Sequence, residues 1–568
     1  MGQGLKDAMT NDPMKWWRTP KGVQRAYADS RFGQLHYAIA RPAKATALPL
    51  VCLHASPSSW RSWFSVIPEM ASDRIVVAPD TPGHGDSDLP PSQPGIEDYA
   101  AAIGEALDQI GIRRFDAIGN HTGSKVAVEL ARQRPDQVRR LVLLSAPVYS
   151  DEELKAIKAK YMEVPLQEDG GHMIKRWSSL MNAMGKVLPI DIVQRSYSES
   201  LRGGMEYEWG HHAAFAYHHA DNLPHLPHRI TVLNPKDEIH EATKRAKKYL
   251  KNGEVMTLDA GHELLYLEPV RFGRMLRQHL DGPAQDVEPG TVTPKPAPPA
   301  PKITPKLARR HYIDGEHGQI HYRRTSPLSP TQVPLLCLHA SPQSSLNYAQ
   351  LMEAIGTDRI VVAPDTPGYG NSEWPKTAPA IDDFARAMIR LVADLGLKTV
   401  DVMGFHTGSL TATEIARQKP GLVRKIVMYS APLFAEEELA SFRAAYAPLV
   451  LQPDGSHTVY RWRRMWKWKD PKFPIEGYHV INAEPFRAGP NSWWGHNAAF
   501  NYPFRERLPL VDKPILVLNP NDDLVDHSRN AMPLMKQGRI HELPDYGHGM
   551  MDVHTPEIAK VMRGFLDG

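Results

Sequence analysis

The stretch Gly119-Asn120-His121-Thr122-Gly123 follows the apolar run 115–118 and precedes residues 124–131, whose apolar side chains recur at helical spacing. An apolar strand, a glycine-flanked turn and a helix form a sharp corner that holds one side chain at its tip. Here that side chain is His121. The same pattern recurs at Gly404-Phe405-His406-Thr407-Gly408, so the chain has two such corners, each with histidine at the tip.

The two corners belong to a tandem repeat. Gly404 lies 285 residues after Gly119, and the same interval separates several other pairs of identical residues in the two halves. A fixed interval between matching segments is the signature of internal duplication. The pairs that share it include His54 and His339, Asp80 and Asp365, Ser145 and Ser430, Trp209 and Trp494, and Asp237 and Asp522.

The repeat predicts the division of the chain into domains. Residues 1–24 form an N-terminal tail, 25–282 a first domain and 307–568 a second domain. Residues 283–306 contain eight prolines, a density that excludes helix and favours an extended, stiff spacer. A spacer of this kind allows the two halves to dock as an internal pseudo-dimer.

The composition is that of an ordinary globular protein. Of the 568 residues, 42% are hydrophobic and 23% are charged, and the formal net charge is +3. This balance gives no argument for nucleic acid or a membrane surface as a partner. The N-terminus lacks the features of a signal peptide, and no apolar run is long enough to span a bilayer. Cytoplasmic location is therefore expected, with Cys52 and Cys337 interpreted as core residues.

The order of elements predicts an α/β fold. Short continuous apolar runs, such as 48–53 and 74–80, alternate with amphipathic segments, such as 99–110, which indicates a mainly parallel sheet covered by helices on both faces. Residues 25–28 and 35–38 flank a turn and predict a β-hairpin. Residues from about 150 to 226, and from about 435 to 508, interrupt the alternation and are interpreted as helical caps over the strand ends.

The motifs of each half resemble those of the α/β-hydrolase-fold superfamily. His54-Ala55-Ser56-Pro57 and His339-Ala340-Ser341-Pro342 are similar to its HG-x-P loop. The runs from Asp80 to Ser87 and from Asp365 to Ser372 are similar to its D-x-P-G-x-G-x-S turn. The chain order of elbow residue, acid and histidine is that of the family. The departure is the elbow residue, which is histidine in both copies where a family hydrolase has a nucleophile such as serine.

The resemblance implies a set of catalytic residues in each half. The acid would orient the second histidine and stabilise its charged form, and two backbone N–H groups would form an oxyanion hole. The implied catalytic residues are His121, Asp237 and His262 in the first half and His406, Asp522 and His548 in the second. The implied oxyanion-hole residues are Ser56 and Thr122, and Ser341 and Thr407.

Three mechanisms are open for the elbow histidine. A neutral imidazole could attack an acyl carbon directly and give an acyl-imidazole, since its ordinary pKa is near neutrality. The two histidines could instead act as general base and general acid. A metal site formed by His121, His262 and His54 is a third possibility, but the local spacing of a metal motif is lacking. We therefore expect no metal and no cofactor.

The predicted caps add candidate substrate-binding residues. An arginine beside aromatic side chains could hold a substrate carboxylate through two hydrogen bonds, although these residues could also simply fix the cap to the sheet. The candidates, with the two HASP-loop histidines, are His54, Arg176, Trp209, His211, His339, Arg461, Trp494 and His496.

Together these features predict a cofactor-independent hydrolase of an ester, thioester or lactone bond in a small, partly apolar molecule. The fold alone does not carry this expectation, because it supports many functions. A lyase or an enzyme of cofactor-free carbon–carbon cleavage is one alternative. A ligand-binding pseudoenzyme is the other.

Overall fold

A computed structural model describes residues 12, 14–161, 164–261, 263–283 and 285–568. The chain divides into two compact units. Unit 1 comprises residues 1–12, 19–165 and 179–305, and unit 2 comprises residues 13–18, 166–178 and 306–568. In the part of the chain that is described, no helix is both long and apolar enough to cross a bilayer.

Unit 1 contains an eight-stranded sheet in the order β1-β2-β4-β3-β5-β6-β7-β8. The first strand pairs antiparallel with the second, the second antiparallel with the fourth, and the remaining neighbours are parallel. The strands are β1 (Val23–Ser30), β2 (Gly33–Ala40), β3 (Leu50–Leu53), β4 (Val76–Pro79), β5 (Phe115–Asn120), β6 (Val138–Leu144), β7 (Arg229–Asn234) and β8 (Gly253–Thr257).

Unit 2 contains a second sheet with the same connectivity, in the order β9-β10-β12-β11-β13-β14-β15-β16. Its antiparallel pairs are again the first two in this order. The strands are β9 (Ala308–Gly315), β10 (Gly318–Thr325), β11 (Leu335–Leu338), β12 (Val361–Pro364), β13 (Val400–Phe405), β14 (Val423–Tyr429), β15 (Pro514–Pro520) and β16 (Gln537–Leu543).

The α-helices of the first half lie between and after these strands. They are α1 (Val66–Met70), α2 (Ile96–Gln109), α3 (Thr122–Gln133), α4 (Asp151–Lys160), α5 (Gly171–Met184), α6 (Ile190–Arg202), α7 (Trp209–Ala216), α8 (His219–Asn222), α9 (His240–Lys244), α10 (Glu263–Leu267) and α11 (Pro269–Asp281).

The α-helices of the second half follow the same sequence of elements. They are α12 (Ala349–Ile355), α13 (Ile381–Asp394), α14 (Thr407–Gln418), α15 (Glu436–Ala445), α16 (Ser456–Trp466), α17 (Ile475–Arg487), α18 (Trp494–Phe500), α19 (Phe504–Arg507), α20 (Val525–Ala531), α21 (Met550–Val553) and α22 (Thr555–Leu566).

The predicted fold class is confirmed: both sheets are mainly parallel and flanked by helices. The central strands are continuous apolar runs because both faces are covered, and every residue of β3 and β11 is buried. The expected hairpin is β1–β2, paired from Val23 with Ala40 to Ser30 with Gly33. The segment between β6 and β7, and its counterpart between β14 and β15, are helical insertions.

Unit 2 includes two stretches from the first half of the sequence, 13–18 and 166–178. This differs from the predicted boundaries, which assigned them to the tail and the first domain. Within unit 2, the Trp177 indole N–H donates to Pro453 O at 3.0 Å, and the Trp462 indole N–H donates to Glu168 O at 2.8 Å. The two bonds are reciprocal within the repeat, because Trp462 lies 285 positions after Trp177 and Pro453 lies 285 positions after Glu168. Buried indole groups with paired N–H donors account for the attachment of the segment.

The proline-rich stretch is not a free spacer over its whole length. The described residues from 282 to 305 belong to unit 1 and form no helix or strand. Lys295 N donates to Arg132 O at 2.8 Å, and Arg31 Nη1 donates to Pro298 O at 2.8 Å. Extended proline-rich backbone leaves its carbonyl groups open to such partners, so this part of the stretch lies along the surface of unit 1.

Candidate active site

The elbow in each unit is a strained corner at the carboxyl end of the central strand. His121 has φ 49° and ψ −109°, and His406 has φ 48° and ψ −108°. Positive φ is unfavourable for a residue with a side chain and persists where the surrounding structure imposes it. A Cβ atom on Gly119 would lie 2.1 Å from Gly123 O, so the flanking glycine is required by close backbone approach.

In unit 2 the elbow histidine is paired with the predicted acid. His406 Nε2 lies 3.0 Å from Asp522 Oδ2, and the Asp522 side chain is fully buried. Burial acts to lower the pKa of His406, but the hydrogen bond to Asp522 and the charges of Asp522 and Asp523 outweigh it, so the pKa is raised. The elbow residue is therefore an imidazole supported by a carboxylate.

Two further donors fix the orientation of Asp522. Ser430 Oγ donates to Oδ2 at 2.7 Å, and Leu524 N donates to Oδ1 at 2.8 Å. Ser430 itself has φ 60°, a second strained residue at this edge of the sheet. Ser430 was not among the predicted site residues, although it matches Ser145 within the repeat.

Unit 1 repeats this arrangement with slightly longer contacts. His121 Nε2 lies 3.3 Å from Asp237 Oδ2, which also accepts a hydrogen bond from Ser145 Oγ at 2.9 Å. Ile239 N donates to Asp237 Oδ1 at 3.0 Å, and Ser145 has φ 64°. The predicted partner His262 lies outside the described residues.

The second histidine of unit 2 is nearer to a different carboxylate than expected. His548 Nε2 lies 3.8 Å from Asp522 Oδ2 and 3.5 Å from Asp523 Oδ1. Asp522 Oδ2 already accepts a hydrogen bond from Ser430 and contacts His406, so this oxygen supports the elbow histidine. Burial acts to raise the pKa of Asp523, but His548 and His406 outweigh it, so the pKa is lowered. Asp523 was not among the predicted residues, although Glu238 is acidic at the matching position.

The four groups could in principle hold a cation. The donor atoms of His406, Asp522, Asp523 and His548 all lie within 4.8 Å of one another. Imidazole and carboxylate donors suit divalent transition metals. His406 and Asp522 are engaged in the hydrogen bonds described above, whereas His548 Nε2 is buried without a hydrogen bond among the described residues and has its nearest carboxylate contact, at 3.5 Å, with Asp523.

The predicted oxyanion-hole residues occupy the expected elements. Thr122 and Thr407 are the first residues of α3 and α14, where backbone N–H groups have no intrahelical acceptor. Ser56 and Ser341 precede Pro57 and Pro342 in the loops after β3 and β11. Their role as donors to a substrate oxygen stays a prediction.

The structure differs from the expectation for the two HASP-loop histidines. His54 and His339 are 1% exposed, and both ring nitrogens of each are engaged by backbone groups. In unit 2, His339 Nδ1 pairs with Ala340 O at 2.9 Å and Nε2 accepts from Thr366 N at 2.9 Å. His54 has the matching bonds to Ala55 and Thr81. With no free ring nitrogen, these residues hold the loops and cannot bind substrate.

The candidates from the unit 2 insertion divide into two groups. Trp494 packs edge-on against Trp374 at 5.7 Å, which is a structural contact. His496 packs against Tyr446 at 4.7 Å. Burial, reinforced by the charges of Arg461, Arg464 and His406, lowers the pKa of His496 to about 3. His496 is thus a neutral ring near the site.

Arg461 lines a small cavity of about 50 Å³ beside the second histidine. Burial lowers its pKa to about 10, and among the described residues it forms no ion pair with a carboxylate. The same cavity is lined by Phe405, Tyr478, His548 and Asp552. Burial raises the pKa of Asp552 to about 7. Asp552 was not predicted as a site residue because the matching position of the first half is Tyr266.

The matching candidate residues of the first half differ from one another in their surroundings. His211 Nδ1 contacts Glu208 Oε2 at 2.5 Å and its ring lies 4.2 Å from that of Tyr161. Trp209 begins α7. Arg176 is buried and belongs to the segment 166–178 of unit 2.

Comparison with known proteins finds the same family in both halves of the chain. Residues 49–185 and 333–453 match the family described as alpha/beta hydrolase fold. A 2-hydroxy-6-oxo-2,4-heptadienoate hydrolase from Pseudomonas putida is 35% identical over 102 residues, which are 17% of this chain and 37% of that protein. The chain thus spans little more than a third of that relative's length.

Two other similarities extend over whole proteins. A non-heme haloperoxidase from Rhodococcus erythropolis is 24% identical over 255 residues, 41% of this chain and 92% of that protein. The structure of an esterase from Exiguobacterium antarcticum aligns with a TM-score of 0.39 and 15% identity, covering 45% of this chain and 99% of that one. Two family matches and two sheets of the same connectivity together identify the chain as carrying the α/β-hydrolase fold twice, in tandem.

Proposed function

We propose that the protein is a hydrolase of an ester, thioester or lactone bond, in which each elbow histidine acts as a general base on water. The observation that carries the proposal is the pairing of the elbow imidazole with the buried acid. In a serine hydrolase the acid supports the second histidine. Here Asp522 contacts His406 at 3.0 Å and lies 3.8 Å from His548, so the carboxylate-supported imidazole is the elbow residue itself.

The hydrogen bond assigns a proton to His406 Nε2, since ionised Asp522 can only accept. Nδ1 then carries the lone pair that can remove a proton from water. As the water oxygen attacks the substrate carbonyl, a proton passes to Nδ1 and negative charge develops on the carbonyl oxygen. The Thr407 N–H is the proposed donor to that oxygen.

His548 is the proposed general acid. Its ring lies edge-to-face with that of His406, with ring centres 5.4 Å apart, so the two imidazoles would border the same reacting carbon from one side. When the bond from carbon to the leaving oxygen or sulfur breaks, the leaving atom takes a proton from His548. Asp523, 3.5 Å from His548 Nε2, is proposed to orient this ring and stabilise its charged form. Glu238 is the matching residue of the first half.

The cavity of unit 2 supports a substrate that carries an anionic group. Arg461 offers a guanidinium without a carboxylate partner among the described residues, and Phe405 and Tyr478 offer apolar surface. Arginine binds carboxylates through two parallel hydrogen bonds. A small carboxylate-bearing ester or lactone with an apolar body fits this chemistry.

Screening a panel of activated esters, thioesters and lactones, with and without a carboxylate, tests the proposal. We expect turnover that the double variant His121→Ala with His406→Ala abolishes. Unchanged turnover in that variant would reject the site assignment. No turnover of any member, with binding of a member retained, would favour a ligand-binding protein.

Cofactor-free carbon–carbon bond hydrolysis is the second candidate, and the base geometry favours it as well. Such a reaction needs proton transfers more than it needs a covalent nucleophile. A vinylogous diketone carboxylate, tested beside the ester panel, separates the two. Rapid acid quench during a single turnover should give no acyl adduct on His406 in either case, whereas an adduct would establish nucleophilic attack.

A further inference from the structure

One segment of the unit 2 insertion is bonded to the loop that carries His548. This histidine loop, residues 544–549, connects β16 with α21. His548 N donates to Trp468 O at 2.7 Å, and Asp470 N donates to His548 O at 2.9 Å. The two bonds form an isolated parallel bridge between His548 and Lys469. The backbone of the proposed general acid is therefore held by the insertion.

Glycine is required where the two segments meet. A Cβ atom on Gly547 would lie 2.6 Å from Trp468 O and 2.8 Å from Asp470 N, distances too short for any side chain. The Tyr429 hydroxyl, at the end of β14, donates to Gly547 O at 3.2 Å. Directly before His548, the loop is thus bonded both to the sheet and to the insertion.

The side chain of Asp470 adds a second connection. It is completely buried, and its Oδ2 accepts a hydrogen bond from Gly547 N at 3.0 Å and lies 3.2 Å from His554 Nε2. Its Oδ1 accepts from Lys472 N at 2.9 Å. A buried carboxylate is costly unless donors pair with its oxygens, and these three contacts pair both of them.

His554 connects the same carboxylate to the chain beyond the histidine loop. It is the N-cap residue of α22 and is 6% exposed. Its ring stacks on that of Tyr546 with ring centres 3.8 Å apart. Gly547 directly precedes His548 and His554 follows it, so Asp470 contacts the chain on both sides of the imidazole.

The first half lacks both members of this pair. Gly185 stands at the position of Asp470, and Glu268 stands at the position of His554. Glycine offers no side-chain acceptor, and an ionised glutamate offers no donor. The pair of Asp470 and His554 is therefore a property of unit 2, although both halves share the elbow histidine and the buried acid.

We propose that Asp470 is a positioning residue for His548, which it holds beside Asp523 by bonding the insertion to the histidine loop. This inference rests on the proposed role of His548 as general acid. Asp470 does not contact the reacting atoms. It acts through the backbone of Gly547 and through His554.

The physical reason is the strict distance dependence of proton transfer. A general acid has to lie within hydrogen-bond reach of the leaving atom, and a misplacement of about 1 Å can cost about 10²-fold in rate. The 3.5 Å contact of His548 Nε2 with Asp523 Oδ1 is too long to fix the ring by itself. Asp470 follows α16, which carries Arg461, so the stretch that borders the substrate cavity also fixes the proton donor.

The test uses Asp470→Asn in the full chain with His121→Ala, so that only unit 2 contributes. Asparagine keeps the shape of the side chain, but its amide nitrogen cannot accept a hydrogen bond. We expect kcat to fall about tenfold while KM changes less than about twofold. Asp545→Asn, an exposed change of the same kind in the histidine loop, should alter neither. An unchanged kcat, or a rise in KM alone, would overturn the proposal.

Two variants of His554 test the pair without removing the buried acid. His554→Phe keeps a ring that can stack on Tyr546 but removes the donor, and His554→Gln keeps a donor. In the same His121→Ala background, the phenylalanine variant should lower kcat about threefold or more, whereas the glutamine variant should retain most of the activity. Equal losses in the two variants would overturn the role of the pair.

A chemical readout separates this inference from the proposed function. Diethyl pyrocarbonate modifies accessible imidazoles, and peptide mass spectrometry gives the rate at His548. Asp470→Asn should raise that rate about threefold, because the loop opens more often, and Asp545→Asn should not. If the melting temperature falls while this rate and kcat stay unchanged, Asp470 only stabilises the fold and the inference is wrong. If no substrate is turned over but the rate rises, the proposed function fails and the positioning of His548 by Asp470 is supported.

Discussion

The candidate active sites of the two units share their elbow geometry and differ in the residues around it. His121 and His406 have backbone angles that agree within about one degree, and in both units a strained serine bonds the acid. The residue before the elbow histidine is Asn120 in unit 1 and Phe405 in unit 2. Phe405 stacks on Tyr429 with ring centres 4.0 Å apart, whereas the matching residues of unit 1 are Asn120 and Leu144.

In the proposed mechanism, this contrast separates the groups assigned to proton transfer from the groups that would contact a substrate. The imidazole–carboxylate pair needs fixed distances, which leave little freedom for substitution. The cavity wall of unit 2 carries Asp552 where unit 1 has Tyr266. We therefore expect the same reaction in both units with different substrate preferences.

The largest effect is expected from removal of one elbow at a time. His406→Ala should lower the activity about 10²–10⁴-fold on any substrate that unit 2 prefers, because the general base is lost. Activity on substrates of unit 1 should remain. Specific activities of His121→Ala and His406→Ala on the whole panel measure this. Equal losses on every substrate would contradict the division of labour between the two sites.

Asp522→Asn, made in the His121→Ala background so that only unit 2 contributes, should lower kcat about 10²-fold or more. The raised pKa of His406 depends on Asp522. The base is active above its pKa, so the wild-type acid limb should lie above pH 6.5 and should move to lower pH in the variant. The pH profile of kcat/KM checks the sign. If the acid limb of the profile does not move in the variant, a group other than His406 titrates there.

Asp523→Asn should reduce kcat about tenfold with little change in KM, because it acts on His548 and not on the substrate. Glu238→Gln is the matched variant of unit 1. Asp523→Glu, which copies the first unit, should recover most of the activity. If KM rises while kcat is unchanged, Asp523 contacts the substrate instead. Metal analysis of the wild-type protein and of the Asp523→Asn variant should give the same divalent-metal content.

The smallest effect is expected at the cavity wall. Burial raises the pKa of Asp552 to about 7, so its carboxyl is neutral below that pH and negative above it. Repulsion of an anionic substrate should raise the KM of unit 2 a few-fold between pH 6 and 8. Asp552→Asn should remove this dependence, while Tyr266→Phe should have no comparable effect. KM measured against pH in the two variants compares the walls directly.

The fold could be predicted from the sequence because its signals are local and repeated. The continuous apolar strands, the glycines around His121 and the hairpin all reflect short-range requirements of backbone and burial. The duplication doubled each signal. The exchange of residues 166–178 into unit 2 could not be foreseen, because it depends on contacts of Trp177 with residues far along the chain.

The membership of the candidate site stays a prediction, and the contacts between its residues could not be derived from the sequence. His406, Asp522 and His548 stand in motifs, but which carboxylate contacts which imidazole is decided by side-chain packing at the sheet edge. Ser430 already occupies one lone pair of Asp522, and this competition is invisible in a linear motif. His54 and His339 likewise carry no mark in the sequence that both their ring nitrogens are engaged.

The segment 166–178 has a consequence for dividing the chain. This stretch lies in the first half of the sequence but belongs to the compact unit that holds the second sheet. A cut within residues 283–306 would therefore separate unit 2 from part of its own chain, so the second half of the sequence alone should be less stable than unit 2 in the full protein.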